Sequence, residues 1–189
     1  MKLVILLAIG LFTTTPAAPP QHAATPSRSA AAGTIAAGRP EIGDSAPDFT
    51  FQSYDHAWRN LHDLLEQGHV LLVFGPSEED LRALERDSGA LLGAGVVPVA
   101  IVHARDADAW KLVQRYRLTY SLLSDPRADL ASSFGVADGG ATGPHATWFV
   151  VDRLGRVRGV GDTRPAIADW VQVANAAPGH GEIEAASTH

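Results

Sequence analysis

The sequence predicts an α/β fold in which a mixed central β-sheet carries helices on both faces. Three observations carry this. Continuous apolar runs at Val70–Phe74, Val96–Val102 and Thr147–Val151 read as strands covered on both faces, where alternation is lost. Segments with apolar residues at helical spacing stand between and after these runs, and alternating strands and helices build layered α/β domains. Finally, Asp152-Arg153-Leu154-Gly155 reads as a hairpin turn with glycine in the left-handed position, so part of the sheet must run antiparallel.

Taken in order, Ile42–Pro47 is rich in turn residues and Asp48–Phe51 alternates like a short strand. Trp58, Leu61, Leu64 and Leu65 recur at helical spacing and stop near Gly68. After the strand Val70–Phe74, Ser77 opens a helix as N-cap, with Asp80 three residues on in a capping-box position. Leu81, Leu84, Leu91 and Leu92 form its broken apolar face, and Gly93 or Gly95 ends it. Pro98 falls near the start of the next strand, where a missing N–H is tolerated. Asp106 is placed to cap a helix carrying Trp110, Val113 and Tyr116. Tyr120–Ser124 reads as a shorter strand, and Asp125-Pro126 as the start of a short helix reaching Phe134. A loop over 137–143 precedes Thr147–Val151. The hairpin returns as Arg156–Val160, and a last helix from Arg164 or Pro165 carries Ile167, Trp170, Val171 and Ala174 on one face. Trp58, Trp110 and Trp170 are expected in the core, whereas Trp148 is a candidate pocket-lining residue.

Both ends look peripheral. Met1-Lys2 followed by the uncharged run Leu3–Phe12 and then small residues has the layout of a secretory signal over residues 1–17, with cleavage after Ala17. Ten helical residues rise only about 15 Å, half the thickness of a bilayer core, which argues against a spanning helix. The alternative is an uncleaved tether, the one route by which the chain would meet a membrane. Residues 18–40 are rich in Pro, Ala and Ser and read as a disordered linker. Residues 41–175 form one domain and 176–189 a flexible tail.

Composition excludes several functions. The formal charge is −6 and basic residues are scattered singly, so there is no basic patch for nucleic acid. The chain contains no cysteine. Its own thiol catalysis, disulfides, thiolate metal sites and cysteine-ligated clusters are therefore impossible. The eight histidines show neither H-x-H nor H-E-x-x-H spacing, so no metal or other cofactor is expected.

Five segments in order, I-G-D-S-A-P-D-F at 42–49, V-L-L-V-F-G-P at 70–76, V-V-P-V-A-I-V at 96–102, S-L-L-S-D-P-R-A-D-L-A-S-S-F-G-V at 121–136 and T-W-F-V-V-D-R-L-G-R-V at 147–157, resemble the redoxins. These are thioredoxin-like proteins that include the alkyl hydroperoxide reductase and thiol-specific antioxidant (peroxiredoxin) enzymes. The resemblance implies a thioredoxin-like fold and antioxidant oxidoreductase ancestry, with the active-site region at the 70–85 junction. There, Pro76 matches the peroxiredoxin Pro, while Asp80 and Ala83 stand where the family has Thr or Ser and the peroxidatic Cys. Aligned with the Cys-x-x-Cys reductases, the two cysteine positions fall on Glu79 and Arg82. The family's Arg or cis-Pro before the last apolar strand falls on Ala146, with Pro144 and His145 adjacent.

Physical chemistry at the junction agrees with that loss. A helix N-terminus favours anions and lowers a thiol pKa. Glu78, Glu79 and Asp80 occupy that field, so it serves helix stability, and they would repel an anionic ligand. Adjacent helical carboxylates point in different directions and do not build a calcium site. Ser77 as a nucleophile with His145 as base is an alternative, but no G-x-S-x-G elbow is present and N-capping accounts for the serine. The expectation is an exported redoxin-like domain acting on a protein partner or small ligand in the old cleft. Its alternative is a redoxin-family enzyme using non-cysteine groups or a partner's thiols.

Overall fold

The structure, a computed structural model, describes residues 38–136, 146–162 and 166–176. The leader 1–17, nearly all of the linker, the loop 137–143 with Pro144 and His145, the helix start at Arg164 or Pro165, and the tail beyond Ala176 lie outside the described residues. In order, the elements are β1 (Thr50–Gln52), β2 (Trp58–Asn60), α1 (Leu61–Gln67), β3 (His69–Phe74), α2 (Glu78–Gly93), β4 (Val96–Val102), α3 (Asp106–Tyr116), β5 (Ser121–Ser124), α4 (Asp129–Ser133), β6 (Thr147–Val151), β7 (Val157–Gly161) and α5 (Ile167–Asn175).

Five strands form one sheet in the order β5-β4-β3-β6-β7, and β1 pairs with β2 in a separate antiparallel hairpin. β3 pairs parallel with β4, and β4 with β5, whereas β3–β6 and β6–β7 are antiparallel. The sheet is thus mixed, as the strand runs and the turn at Asp152–Gly155 predict. Alternate residues sort onto its two faces. Leu71, Val73, Ala100, Val102, Trp148 and Val150 join α2, α3 and α5 residues in one core cluster. Val70, Leu72, Phe74, Val99, Ile101 and Phe149 join α1 and α4 residues in the other. Both faces being buried is why these strands read as unbroken apolar runs. Pro98 precedes the β5 pairing, which starts at Val99–Ser121, so its missing donor falls outside that ladder.

Some expectations change. Trp58 lies on β2 rather than on a helix and is 64% exposed; α1 begins at Leu61, where Asn60 Oδ1 accepts the Asp63 N–H. Trp110 and Leu92 are also exposed, so only Trp170 of the three helix-assigned tryptophans is core. Asp106 is the first residue of α3, not its cap; the cap position is Arg105, and Asp106 instead accepts the Ser124 hydroxyl. On α5, Trp170, Val173 and Ala174 are buried, while Ile167 and Val171 pack at the edge. Arg39 and Pro40, assigned by composition to the linker, pack on the domain: Pro40 is buried and Arg39 binds Asp162. No helix among the described residues is long and apolar enough to cross a membrane.

Candidate functional site

The candidate site is the end of the sheet where β3 stops and β6 starts. β3 ends at Phe74, in register with Thr147, the first residue of β6. Gly75 follows with φ of 61°, a left-handed conformation that favours glycine, and its N–H donates to Ile101 O at 2.9 Å. This bend lifts Pro76 and Ser77 off the sheet into the start of α2. Pro76 is half-buried and Ser77, Glu78 and Glu79 are exposed. On the opposing strand, Ala146 and Thr147 are half-buried.

Ser77 forms a complete capping box. Its Oγ accepts the Asp80 N–H at 3.1 Å and donates to Asp80 Oδ2 at 2.7 Å, and its own N–H donates to the same Oδ2 at 3.0 Å. The serine hydroxyl and the aspartate are therefore spent on closing the helix end. Farther along α2 the remaining candidates diverge. Ala83 is 2% exposed. Arg82 turns outward, with its guanidinium 4.9 Å from the Tyr116 ring centroid and 3.7 Å from Glu78. Glu78 also meets Arg115 of α3 at 3.5 Å. The structure thus brings Pro76, Ser77 and Asp80 to one junction but sends Ala83 into the protein and Arg82 to the α2–α3 surface. His145 lies outside the described residues.

Under α2, Tyr120 donates its hydroxyl to Leu81 O at 3.1 Å. Burial, with Glu85 and Asp80 nearby, pushes its phenol pKa far up, so it stays a neutral donor. Asp125 lies buried beyond β5 and accepts the N–H groups of Asp129 and Ala131, each at 2.9 Å. These are scaffold roles. Trp148 is buried and packs in the core cluster on the α2–α5 face of the sheet.

Sequence reasoning missed one cluster at this end. Asp162, just after β7, accepts both Arg39 guanidinium nitrogens at 3.0 and 2.9 Å and the Thr147 hydroxyl at 2.9 Å. The Arg39 hydrogen bonds, followed by burial acting against them and by the Thr147 hydroxyl, hold the Asp162 carboxyl below its ordinary value of 3.8. Nothing local announces this cluster, since Arg39 and Asp162 are 123 residues apart. Among the described residues no group of three or more His, Asp or Glu could hold a metal ion.

A mixed five-stranded sheet with helices on both faces, and a strand–turn–helix junction at its centre, defines a thioredoxin-like α/β domain. The chain belongs to the AhpC/TSA family, whose pattern it matches over residues 42–160. Its fold is similar to that of the peroxidoxin BcpB from Mycobacterium tuberculosis, at 22% identity and a TM-score of 0.63, covering 72% of this chain and 97% of that one. It is also similar to the reduced 2-Cys peroxiredoxin from Plasmodium vivax, at 18% identity and a TM-score of 0.58, covering 71% and 80% respectively. No curated protein matches it in sequence.

Proposed function

We propose that this chain is an exported redoxin-like domain that performs no thiol chemistry of its own and acts by binding a protein partner or small ligand at the β3–α2 junction. One observation carries the reading. The helix start that would stabilise a thiolate or an incoming anion is closed by the Ser77–Asp80 capping box and crowded by Glu78 and Glu79. With no cysteine in the chain, any sulfur chemistry at this surface has to come from a partner. Export rests on the apolar run Leu3–Phe12 and the small residues Thr15 and Ala17 that follow it.

The catalytic part of the reading is tested by incubating purified protein with hydrogen peroxide and a dithiol reductant. Consumption is expected to stay at the buffer rate, and protein-dependent turnover would overturn the reading. The export part is tested by N-terminal sequencing of the protein recovered outside the cytoplasm. It should begin at Ala18, and recovery of uncleaved chain in the membrane fraction would replace secretion with tethering.

A second reading, hydrolytic catalysis by Ser77, has one contact in its favour, the 2.7 Å bond from its hydroxyl to Asp80. That carboxylate also holds the Ser77 N–H, and a competing role would have to break the cap. An activity that survives Ser77→Ala would eliminate this alternative.

A further inference from the structure

We propose that Gly38–Pro40 is a latched strap: the Arg39–Asp162 pair holds it across Phe149, and breaking that pair opens the strap and uncovers the aromatic surface beside the β3–α2 junction. This conformational device does not depend on what the junction binds.

The latch is specific in geometry. Arg39 meets Asp162 through two nitrogens, the planar arrangement that fixes orientation as well as charge. The guanidinium carbon lies 5.6 Å from the centroid of the Phe149 ring, within cation–π range. Phe149 in turn packs against Phe74 and Phe134 with ring centroids 5.8 and 5.2 Å away. The strap therefore lies on the aromatic cluster that ends at the residue before Gly75. Asp162 also ties the strap to Thr147, the residue in register with Phe74.

Close packing fits the strap to its seat. A Cβ on Gly135 would stand 2.5 Å from Arg39 N and 2.7 Å from its Cα, so glycine at 135 is what lets the backbone of Arg39 lie this close. The next residues supply a hinge. Glu41 N–H donates to Asp44 Oδ2, Asp44 N–H donates to Glu41 O, and Gly43 has φ of 98°. The same turn is fastened to β7 by Gly43 N–H to Val157 O and Val157 N–H to Asp44 O, both short, so the swing is confined to the residues before Gly43. The latch itself is exposed, at 36% for Arg39 and 61% for Asp162, which makes it sensitive to salt and to a competing charge.

The test is amide hydrogen exchange read residue by residue at Gly38, Arg39 and Glu41, with Gly43, bonded to β7, as internal reference, alongside binding of an apolar fluorescent dye. Asp162→Asn keeps size and removes the charge; Arg39→Lys keeps the charge and removes the bidentate, stacked contact. Gly135→Ala leaves both charges in place and presses on the strap by sterics, in addition to the strain of a side chain at a φ of 64°. In each variant these three amides are expected to exchange roughly three- to tenfold faster and dye binding to rise, with Gly43, β3 and β4 as protected as in the parent. Raising salt to about 1 M should move the parent in the same direction. Exchange at Gly38, Arg39 and Glu41 that is unchanged in Asp162→Asn and Arg39→Lys would overturn the proposal. So would acceleration that appears only together with β3 and β4, because the strap would then open only when the whole domain does.

Discussion

The indole of Trp148 lies against the backbone of Gly161 on the neighbouring strand, where a Cβ would come within 2.6 to 2.8 Å of three of its ring atoms. The two residues are in register between β6 and β7, so the missing side chain on one strand makes room for the large one on the other. Gly159, two residues earlier, plays the same part toward Val173 of α5, at 2.6 Å, and toward Trp148 itself at 3.1 Å. These glycines decide how closely α5 and the indole seal one face of the sheet.

Gly161→Ala should therefore destabilise the domain by about 1–3 kcal/mol, the range for forcing a methyl group into a packed interior. Gly89 offers a control of opposite sign. It lies inside α2 with nothing within 4 Å of an added Cβ, and alanine there should stabilise by roughly 0.5–1 kcal/mol. Urea unfolding of both variants measures the contrast. Equal midpoints would show that the indole has room to move.

Ser77→Ala removes the acceptor for the Asp80 N–H and the single hydrogen bond between the two side chains, leaving only the Ser77 N–H on Asp80 Oδ2. Loss of an N-cap costs about 0.5–2 kcal/mol. Equilibrium unfolding should show that loss, while any binding at the junction should survive as long as the helix start stays folded. A variant as stable as the parent would mean that the capping box is not what holds this helix end.

How much of this was legible in sequence depends on whether the cause was local. The Ser77–Asp80 box is a three-residue spacing, so the chain announces it. The runs at 70–74 and 96–102 are equally plain, because burial on both faces removes the alternation that would otherwise make them ambiguous. Trp58 misled because its spacing to Leu61 and Leu64 is helical, although Asn60 between them starts the helix and three strand residues are too few to show a period of two. Arg39 was illegible for a different reason. It looks like one charge in a small-residue linker, and only the fold brings Asp162 and Phe149 to it.

The proposal that this chain performs no thiol chemistry can be tested by installing a cysteine. Ala83 stands where the resemblance places the peroxidatic residue, yet its side chain is buried and three acidic residues occupy the first turn of the same helix. Burial and nearby carboxylates both disfavour a thiolate. The thiol in Ala83→Cys should titrate above the free value of about 8.5, react with a disulfide reagent far more slowly in the native than in the unfolded protein, and add no peroxide turnover. A thiolate present at neutral pH would show that the scaffold still activates sulfur at this position.

Stability should fall in two separate steps on acidification, and the groups responsible lie at the opposite end of β3 from the junction and beside the strap. His69 begins β3. Burial first, then the Arg153 charge, with Asp152 opposing and Arg158 adding, holds it below its ordinary value of 6.5. The folded chain thus keeps this imidazole neutral at a pH where the unfolded chain already binds a proton. Its contribution is complete above 6.5 and is lost as pH falls through that value toward the folded one. Asp152 belongs to the second step. Burial alone would raise its pKa, but the Arg156 and Leu154 N–H groups and the Arg158 guanidinium outweigh it and hold it below 3.8. Asp162 is held below 3.8 by Arg39. Both carboxylates stabilise the fold above 3.8, and that contribution disappears as pH falls through their folded values. Urea midpoints at about pH 8, 5 and 3 resolve the steps. His69→Gln should flatten the change between 8 and 5 and leave the drop below 4, whereas Arg39→Ala should shrink only the lower drop. A parent midpoint that is level from 8 to 5 would remove His69 from this account and leave acid sensitivity to the carboxylates alone.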